Sequence, residues 1–155
     1  MQPGFTVHTP FANLGVRLEQ GCVVGIQAVA DSLQLPPQSA LDKKIARLIR
    51  QYCQHKSVCF DVPLKLRGTA FQKKVWRELC RIPPGEVRTY GELAAKLSTS
   101  PRAVGNACRR NPVLLMVPCH RVVSASGLGG FAGKTTGLWP AMKRRLLQHE
   151  GVLLD

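Results

Sequence analysis

Residues 117–122 read Val-Pro-Cys-His-Arg-Val, which sets a thiol, an imidazole and a guanidinium side by side behind a proline. A cysteine attacks as its thiolate, and an ordinary pKa near ~8.5 leaves little thiolate at neutral pH without a base or a positive environment. His120 is such a base. Immediate neighbours do not face each other along an extended chain, so the pair requires a curled loop or a bridging water. Glu150, near the other end of this half, is a candidate to orient the imidazole. Cys119, His120 and Glu150 would then serve as nucleophile, base and orienting carboxylate of a triad-type relay. Beyond the N-terminal segment the other histidines are His55 and His149, the latter beside Glu150. A Cys-His pair can equally be structural, because free cysteine is among the most buried residue types. The elements around the pair decide between the two.

Charge is the first of those surroundings. The chain carries a formal net charge of +13 over 155 residues, and it is uneven. Residues 1–63 hold six Lys/Arg against four Asp/Glu, whereas residues 64–155 hold sixteen against five. Cationic charge gathered in one half points to a polyanion, since phosphate neutralisation dominates sequence-independent nucleic-acid affinity. No basic run precedes an apolar stretch and no apolar run approaches ~18–20 residues, so neither export nor a membrane is expected, and a cytoplasmic location is. The six cysteines, at 22, 53, 59, 80, 108 and 119, form no CxxC pair and read as reduced thiols. Cys53-x-His55-x3-Cys59, even with Cys22, is not a standard zinc spacing, so neither a metal nor any other cofactor is expected.

The positioning elements divide near residues 63–68, which predicts an N-terminal α/β domain over 1–65 and a second, cationic domain over 66–155 suited to DNA. The short runs Phe5–His8, Gly15–Glu19 and Cys22–Ile26, punctuated by glycines, predict a small antiparallel meander. Leu41, Ile45, Leu48, Ile49 and Tyr52 follow helical spacing, with Ser39 as N-cap and Asp42 three residues on. The second half is predicted to be mostly helical. Thr69 caps a helix through Phe71, Val75, Trp76 and Leu79, which Ile82-Pro-Pro-Gly ends. Gly91–Leu97 gives a short helix and Ser98-Thr-Ser a break. Pro101 then opens another helix at its first position, and Asn111-Pro112 closes it. Two short helices with an arginine-bearing second one fit a helix-turn-helix. Ala103, Gly105 and Ala107 offer almost nothing to read bases with, so that helix suits a sugar-phosphate wall or minor groove; tight packing against another helix would also use small residues. A final amphipathic helix, from about Pro140 to Glu150, is expected to turn Met142, Leu146 and Leu147 inward and Lys143, Arg144 and Arg145 outward.

Val-Pro-Cys-His-Arg-Val behind Asn111-Pro112 closely resembles the O6-alkylguanine-DNA alkyltransferases, the methylated-DNA–protein-cysteine methyltransferases. Thr69-Ala-Phe-Gln-Lys-Lys-Val-Trp, Ile82-Pro-Pro-Gly, Thr89-Tyr-Gly-Glu-Leu-Ala and Leu147-Gln-His-Glu-Gly match the same family in order, over roughly residues 66–151. The resemblance implies a protein that repairs double-stranded DNA containing O6-alkylguanine, acting once and as a monomer. Cys119 would take the alkyl group as a thioether, and His120, held by Glu150, would take the thiol proton through a water. Tyr90 would donate to guanine N3, and the carbonyls of Cys119 and Val122 would accept from the exocyclic amine. The amide near Ala132 would meet O6, Phe131 would wall the pocket, and Asn111 would fix the turn before the nucleophile. The base must leave the duplex to be reached. Arg102 resembles the arginine that fills the vacated stack, although a phosphate contact would also suit it; Ala103, Gly105 and Arg109 fall on the DNA-facing helix. O4-alkylthymine is a further conceivable substrate. Two features depart from the family: the loop 133–140, with Trp139-Pro140, is longer, and Ala132 stands where some members have serine.

Three other functions compete. A non-catalytic damage binder of the same fold would replace the nucleophile, and Cys119 is present. A transcriptional regulator would need base-reading side chains on the second helix. A thiol hydrolase would leave the cationic half unexplained.

Overall fold

The computed structural model describes residues 2–127 and 138–152. The chain divides into two compact units. Met1–Arg67 with Pro112–Leu114 forms the first, and Gly68–Asn111 with Leu115–Asp155 the second.

In the first unit, strands β1 (Phe5–His8), β2 (Asn13–Glu19) and β3 (Cys22–Val29) form an antiparallel sheet in that order. Gln20 and Gly21, both with positive φ (51° and 76°), close the β2–β3 hairpin. Two positive φ values make the turn type whose twist matches the flanking strands. Alternation sends Phe5, Val7, Leu14 and Val16 inward, and a bulge opposite Arg17 and Leu18 turns both Val23 and Ile26 to the same side. There they meet Ile45, Ile49 and Tyr52 of helix α1 (Ala40–Gln54), which packs on β1. Ser39 caps α1 in a full capping box with Asp42, as the Ser-x-x-Asp spacing predicts. Pro112–Leu114 joins this unit by pairing with β3: the Ile26 N–H donates to the Pro112 carbonyl (3.0 Å) and the Leu114 N–H to the Ile26 carbonyl (3.0 Å). Nothing in the periodicity of either segment announces that pairing.

The second unit is mostly helical. Helix α2 (Ala70–Leu79) starts at a Thr69–Gln72 capping box. Its Trp76 is buried, and the indole N–H donates to the Ala107 carbonyl at 2.8 Å. Helices α3 (Tyr90–Lys96) and α4 (Pro101–Arg109) pack together across a four-residue link. Thr89 caps α3 through Glu92, while Ser100 caps α4 with Pro101 in its first turn. A two-residue parallel ladder, β4 (Arg88–Thr89) with β5 (Val122–Val123), was not expected from the sequence. It ties the residue before Tyr90 to the segment after Arg121. Helix α5 (Leu138–His149) turns Met142, Leu146 and Leu147 inward as predicted. Lys143 departs from expectation: it is fully buried, whereas Arg144 and Arg145 are exposed.

Candidate active site

Cys119 sits on backbone that the local sequence shapes. Pro118 has φ −82° and ψ 65°, and the Cys119 N–H donates to the Val117 carbonyl at 2.8 Å. This is an inverse γ-turn, and proline suits its centre because the ring fixes φ and no N–H is needed there. A 3-10 turn, Cys119–Arg121, follows at once, closed by Arg121 N–H to Pro118 O (3.0 Å). The Val122 N–H donates to the Cys119 carbonyl, which keeps a second lone pair. The expected curl at the nucleophile is therefore a γ-turn running into a 3-10 turn. Upstream, the Asn111 amide donates to the Val117 carbonyl at 2.8 Å, bracing the approach to the turn. Between them Leu115 is buried at φ +74°, a left-handed conformation that costs a branched side chain energy and that surrounding structure must hold in place.

His120 and Glu150 are wholly buried, and the imidazole Nε2 lies 2.8 Å from a Glu150 oxygen. Arg121, to which the sequence reading gave no role, completes the group. Its Nε and Nη2 donate to the two Glu150 oxygens at 2.9 and 3.0 Å, and its Nη1 donates to the Ile82 carbonyl at 2.7 Å. The Gly85 N–H adds a fourth bond to the carboxylate at 3.2 Å. Burial works against the Glu150 charge, but the His120 and Arg121 bonds outweigh it and hold the carboxyl ionised, well below the usual range. His120 is pushed down from 6.5, chiefly by burial, and is neutral at pH 7. A neutral ring facing a carboxylate donates from Nε2, which leaves Nδ1 as an acceptor. That nitrogen is buried and accepts no hydrogen bond from the described residues. The site thus holds a basic nitrogen on a fixed ring.

The thiol itself is 2 % exposed, and burial pushes its pKa up to about 11. The Asn111 side chain, Lys143 and the local backbone act against burial and favour the thiolate. At rest the sulfur is protonated, so reaction requires a base at the moment of attack. Tyr90, the first residue of α3, is partly buried, and its phenol is held protonated above its ordinary value of 10. It remains a hydrogen-bond donor across the physiological range.

Helix α4 carries the remaining expected residues. Arg102 and Arg109 are exposed, while Ala103 and Gly105 are half-buried. A Cβ added at Gly105 would sit 3.9 Å from the Tyr90 ring, an ordinary contact. Packing against α3 therefore does not demand glycine there, which weakens the packing explanation for that position. A groove of about 500 Å³ runs along the helix, with Thr69, Phe71 and Gln72 on one side and Ala103, Arg109 and Arg110 on the other. Val122 is buried beside the nucleophile. Phe131, Ala132 and most of the long 133–140 loop lie outside the described residues. Lys143 is the second residue the sequence reading missed. Its spacing held the signal, because residues 143, 147 and 150 fall on one helical face and Leu147 was expected to turn inward.

In chemical terms this is a buried thiol with its own base system, carried by a small antiparallel sheet plus helices. Residues 70–152 match the family model described as 6-O-methylguanine DNA methyltransferase, DNA binding domain. The methylated-DNA–protein-cysteine methyltransferase of Archaeoglobus fulgidus is 40% identical over 118 residues, covering 76% of this chain and 80% of that one. The protein of the same description from Sulfolobus acidocaldarius is 46% identical over 104 residues, covering 67% of this chain and 64% of the relative. Mycobacterium tuberculosis OGT in complex with DNA superposes with a TM-score of 0.80 at 33% identity, covering 95% of this chain and 92% of that one. The chain belongs to the methylated-DNA–protein-cysteine methyltransferase family. No helix among the described residues is long and apolar enough to cross a membrane.

Proposed function

We propose that this protein repairs O6-alkylguanine in double-stranded DNA by transferring the alkyl group to Cys119, once per molecule. The observation that carries the reading is the buried thiol on a proline-set turn, next in the chain to a neutral imidazole whose Nδ1 accepts no hydrogen bond from the described residues. The sulfur attacks the alkyl carbon in line with the bond to O6. The S–C bond forms as the C–O6 bond breaks, and the electron pair leaves on guanine. The thiol proton passes through a water to His120, whose charge Glu150 then balances. Tyr90 donates its proton toward guanine N3 as negative charge builds on the departing base. A thioether does not revert under these conditions, so no step restores the thiol.

The remaining residues bind. α3 and α4 act as a helix-turn-helix, with Ala103 and Gly105 allowing close approach to a sugar-phosphate wall and Arg109 contacting phosphate. Arg102, exposed in the first turn of α4, fills the stack left by the extruded base. An arginine there opposes the helix dipole, which favours a functional over a structural reason for it. Asn111 fixes the approach to the turn, and the carbonyls of Cys119 and Val122 accept from the guanine amine. All six cysteines are free, which suits a monomer working in a reducing cytoplasm.

Stoichiometric mixing with duplex carrying O6-methylguanine should add one methyl mass to the peptide containing Cys119. Cys119→Ser should abolish that gain while still binding the duplex. Unmodified protein and intact lesion after mixing would reject the assignment.

A further inference from the structure

We propose that the Ile82-Pro-Pro-Gly85 turn is a positioning element of the proton relay, whose backbone holds the Arg121–Glu150 pair so that one carboxylate oxygen stays on His120. The proposal rests on His120 serving as the base for Cys119, and its test is arranged to fail separately from that reading.

This segment does more than stop α2. The Glu86 N–H donates to the Pro83 carbonyl at 3.2 Å, and Gly85 has φ +89°. Pro84 between them carries the fixed negative φ of its ring. A negative φ followed by a positive one makes a type II turn, which prefers proline at its second position and glycine at its third. The turn type decides where the central peptide points. Relative to a type I turn, ψ at the second position moves from about −30° to about +120°, which turns the peptide between Pro84 and Gly85 over. In this orientation the Gly85 N–H donates to Glu150 Oε1 at 3.2 Å.

At the start of the same segment the Ile82 carbonyl accepts from Arg121 Nη1 at 2.7 Å. The turn therefore meets both members of the buried pair, with a donor for the carboxylate and an acceptor for the guanidinium. Arg121 Nε and the Gly85 N–H share Oε1, while Arg121 Nη2 and His120 Nε2 share Oε2. A bidentate pair is fixed within itself but can still swing as a unit on its two side chains. Pinning Oε1 at Gly85 and Nη1 at Ile82 removes that freedom and leaves Oε2 aimed at the imidazole. Two successive prolines allow this backbone few other conformations, so the brace is rigid in its own right. Downstream the chain runs through Val87 into β4, which pairs with β5 just after the nucleophile turn. The segment is thus fastened at both ends to the stretch that carries Cys119.

The test uses the full chain with Gly85→Ala and Gly85→Asn. Alanine resists a positive φ and favours the type I turn, whose N–H points away from Glu150, whereas asparagine tolerates the positive φ. Single-turnover transfer from saturating duplex carrying O6-methylguanine should slow roughly 10-fold in Gly85→Ala and stay within about 3-fold of wild type in Gly85→Asn. Duplex affinity should be unchanged in both, because α4 is untouched. The imidazole supplies a signature that loosened packing alone would not move. The proton NMR resonance of His120 Nε2–H, assigned by its absence in His120→Gln, should shift and broaden in Gly85→Ala and match wild type in Gly85→Asn. Should Gly85→Ala fail to fold, wild type alone decides. Its Gly85 amide should exchange with solvent as slowly as the amides of α5, although it lies in a half-buried turn. Fast exchange at Gly85, or a Gly85→Ala protein with wild-type rate and imidazole resonance, overturns the proposal. So does a Gly85→Asn protein as slow as Gly85→Ala. Absence of alkyl transfer by wild type, with Gly85 protected and the imidazole resonance responding to Gly85→Ala, would instead strike the proposed function.

Discussion

The two units treat buried polarity in opposite ways. In the first, the buried polar residues are Thr9 and Asn13, both uncharged. Thr9 is saturated by the Ala12 carbonyl and two backbone N–H groups, and Asn13 donates to the carbonyls of Ala30 and Leu33 at 2.8 Å each. These bonds pin a turn and a strand end, and neutral groups suffice for that. The second unit buries Glu78, His120, Arg121, Lys143 and Glu150. Buried charges commonly stabilise no better than apolar side chains of similar size. Apart from Glu78, which pairs with the exposed Arg81 and Lys96, these residues gather on the turn of the nucleophile and the helix packed against it, which is better explained by chemistry than by folding. The first unit is arranged to fold; the second keeps a costly arrangement because it must react.

The largest test of that contrast removes the carboxylate. Glu150→Gln keeps the volume but leaves the Arg121 guanidinium buried without an anion. Breaking a buried pair this way costs about 3–5 kcal/mol. Asn13→Ala, which strips two neutral bonds from the first unit, should cost about 1–3 kcal/mol. Denaturant midpoints of the two variants measure the difference. Similar losses would mean that the charged group is ordinary scaffolding.

Acid provides the next effect without mutation. His120 is lowered in the folded state, so below 6.5 the unfolded chain binds a proton that the folded chain does not. Its contribution is complete above 6.5 and lost as pH falls. Glu150 is also lowered, so its contribution is complete above 4.5 and lost as pH falls further toward its folded value. Both act in the same direction within the second unit. In the first unit Asp42 is lowered from 3.8, and its contribution fades only below that value. Hydrogen exchange at pH 5 against pH 7, corrected for intrinsic rates, should show residues 119–123 and 142–150 losing protection ahead of the β2–β3 sheet. Equal loss in the sheet would erase the distinction.

Legibility in the sequence follows the range of the forces involved. The caps at Ser39 and Thr69, the stop at Ile82-Pro-Pro-Gly and the start at Pro101 are local chemistry; the helices begin where that chemistry puts them, and α2 ends at Leu79, just short of the stop. The meeting of His120 with Glu150 followed from the logic of a relay and from the family resemblance rather than from any local pattern, since 30 residues separate them. Arg121 stood in the quoted motif, yet nothing local says that its fork closes on Glu150. Lys143 was misplaced because one lysine inside a run of three basic residues reads as solvent-facing. The ladder between Arg88–Thr89 and Val122–Val123 is too short to leave any periodicity.

The smallest effect separates the units most cleanly, because it applies the same chemistry to each. Ser39 and Thr89 both close capping boxes: the Asp42 N–H donates to Ser39 Oγ, and the Glu92 N–H donates to Thr89 Oγ1, each at 3.0 Å. Replacing either by alanine removes one cap and should cost about 1 kcal/mol. Their consequences should nevertheless diverge. Ser39 starts a helix that packs on β1 and touches nothing reactive, so Ser39→Ala should leave the rate of alkyl transfer per folded molecule unchanged. Thr89 precedes Tyr90 directly and pairs with Val123 in the ladder beyond the 3-10 turn. Loss of its cap loosens both the phenol and the strand that follows the nucleophile. Small misplacements of reacting groups cost rate out of proportion to stability, so Thr89→Ala should slow single-turnover transfer by roughly 3- to 10-fold. Matched stabilities with different rates would locate the chemistry in the second unit. Matched rates would show that Tyr90 is positioned by its packing under Gly105 and Lys143 rather than by its helix start.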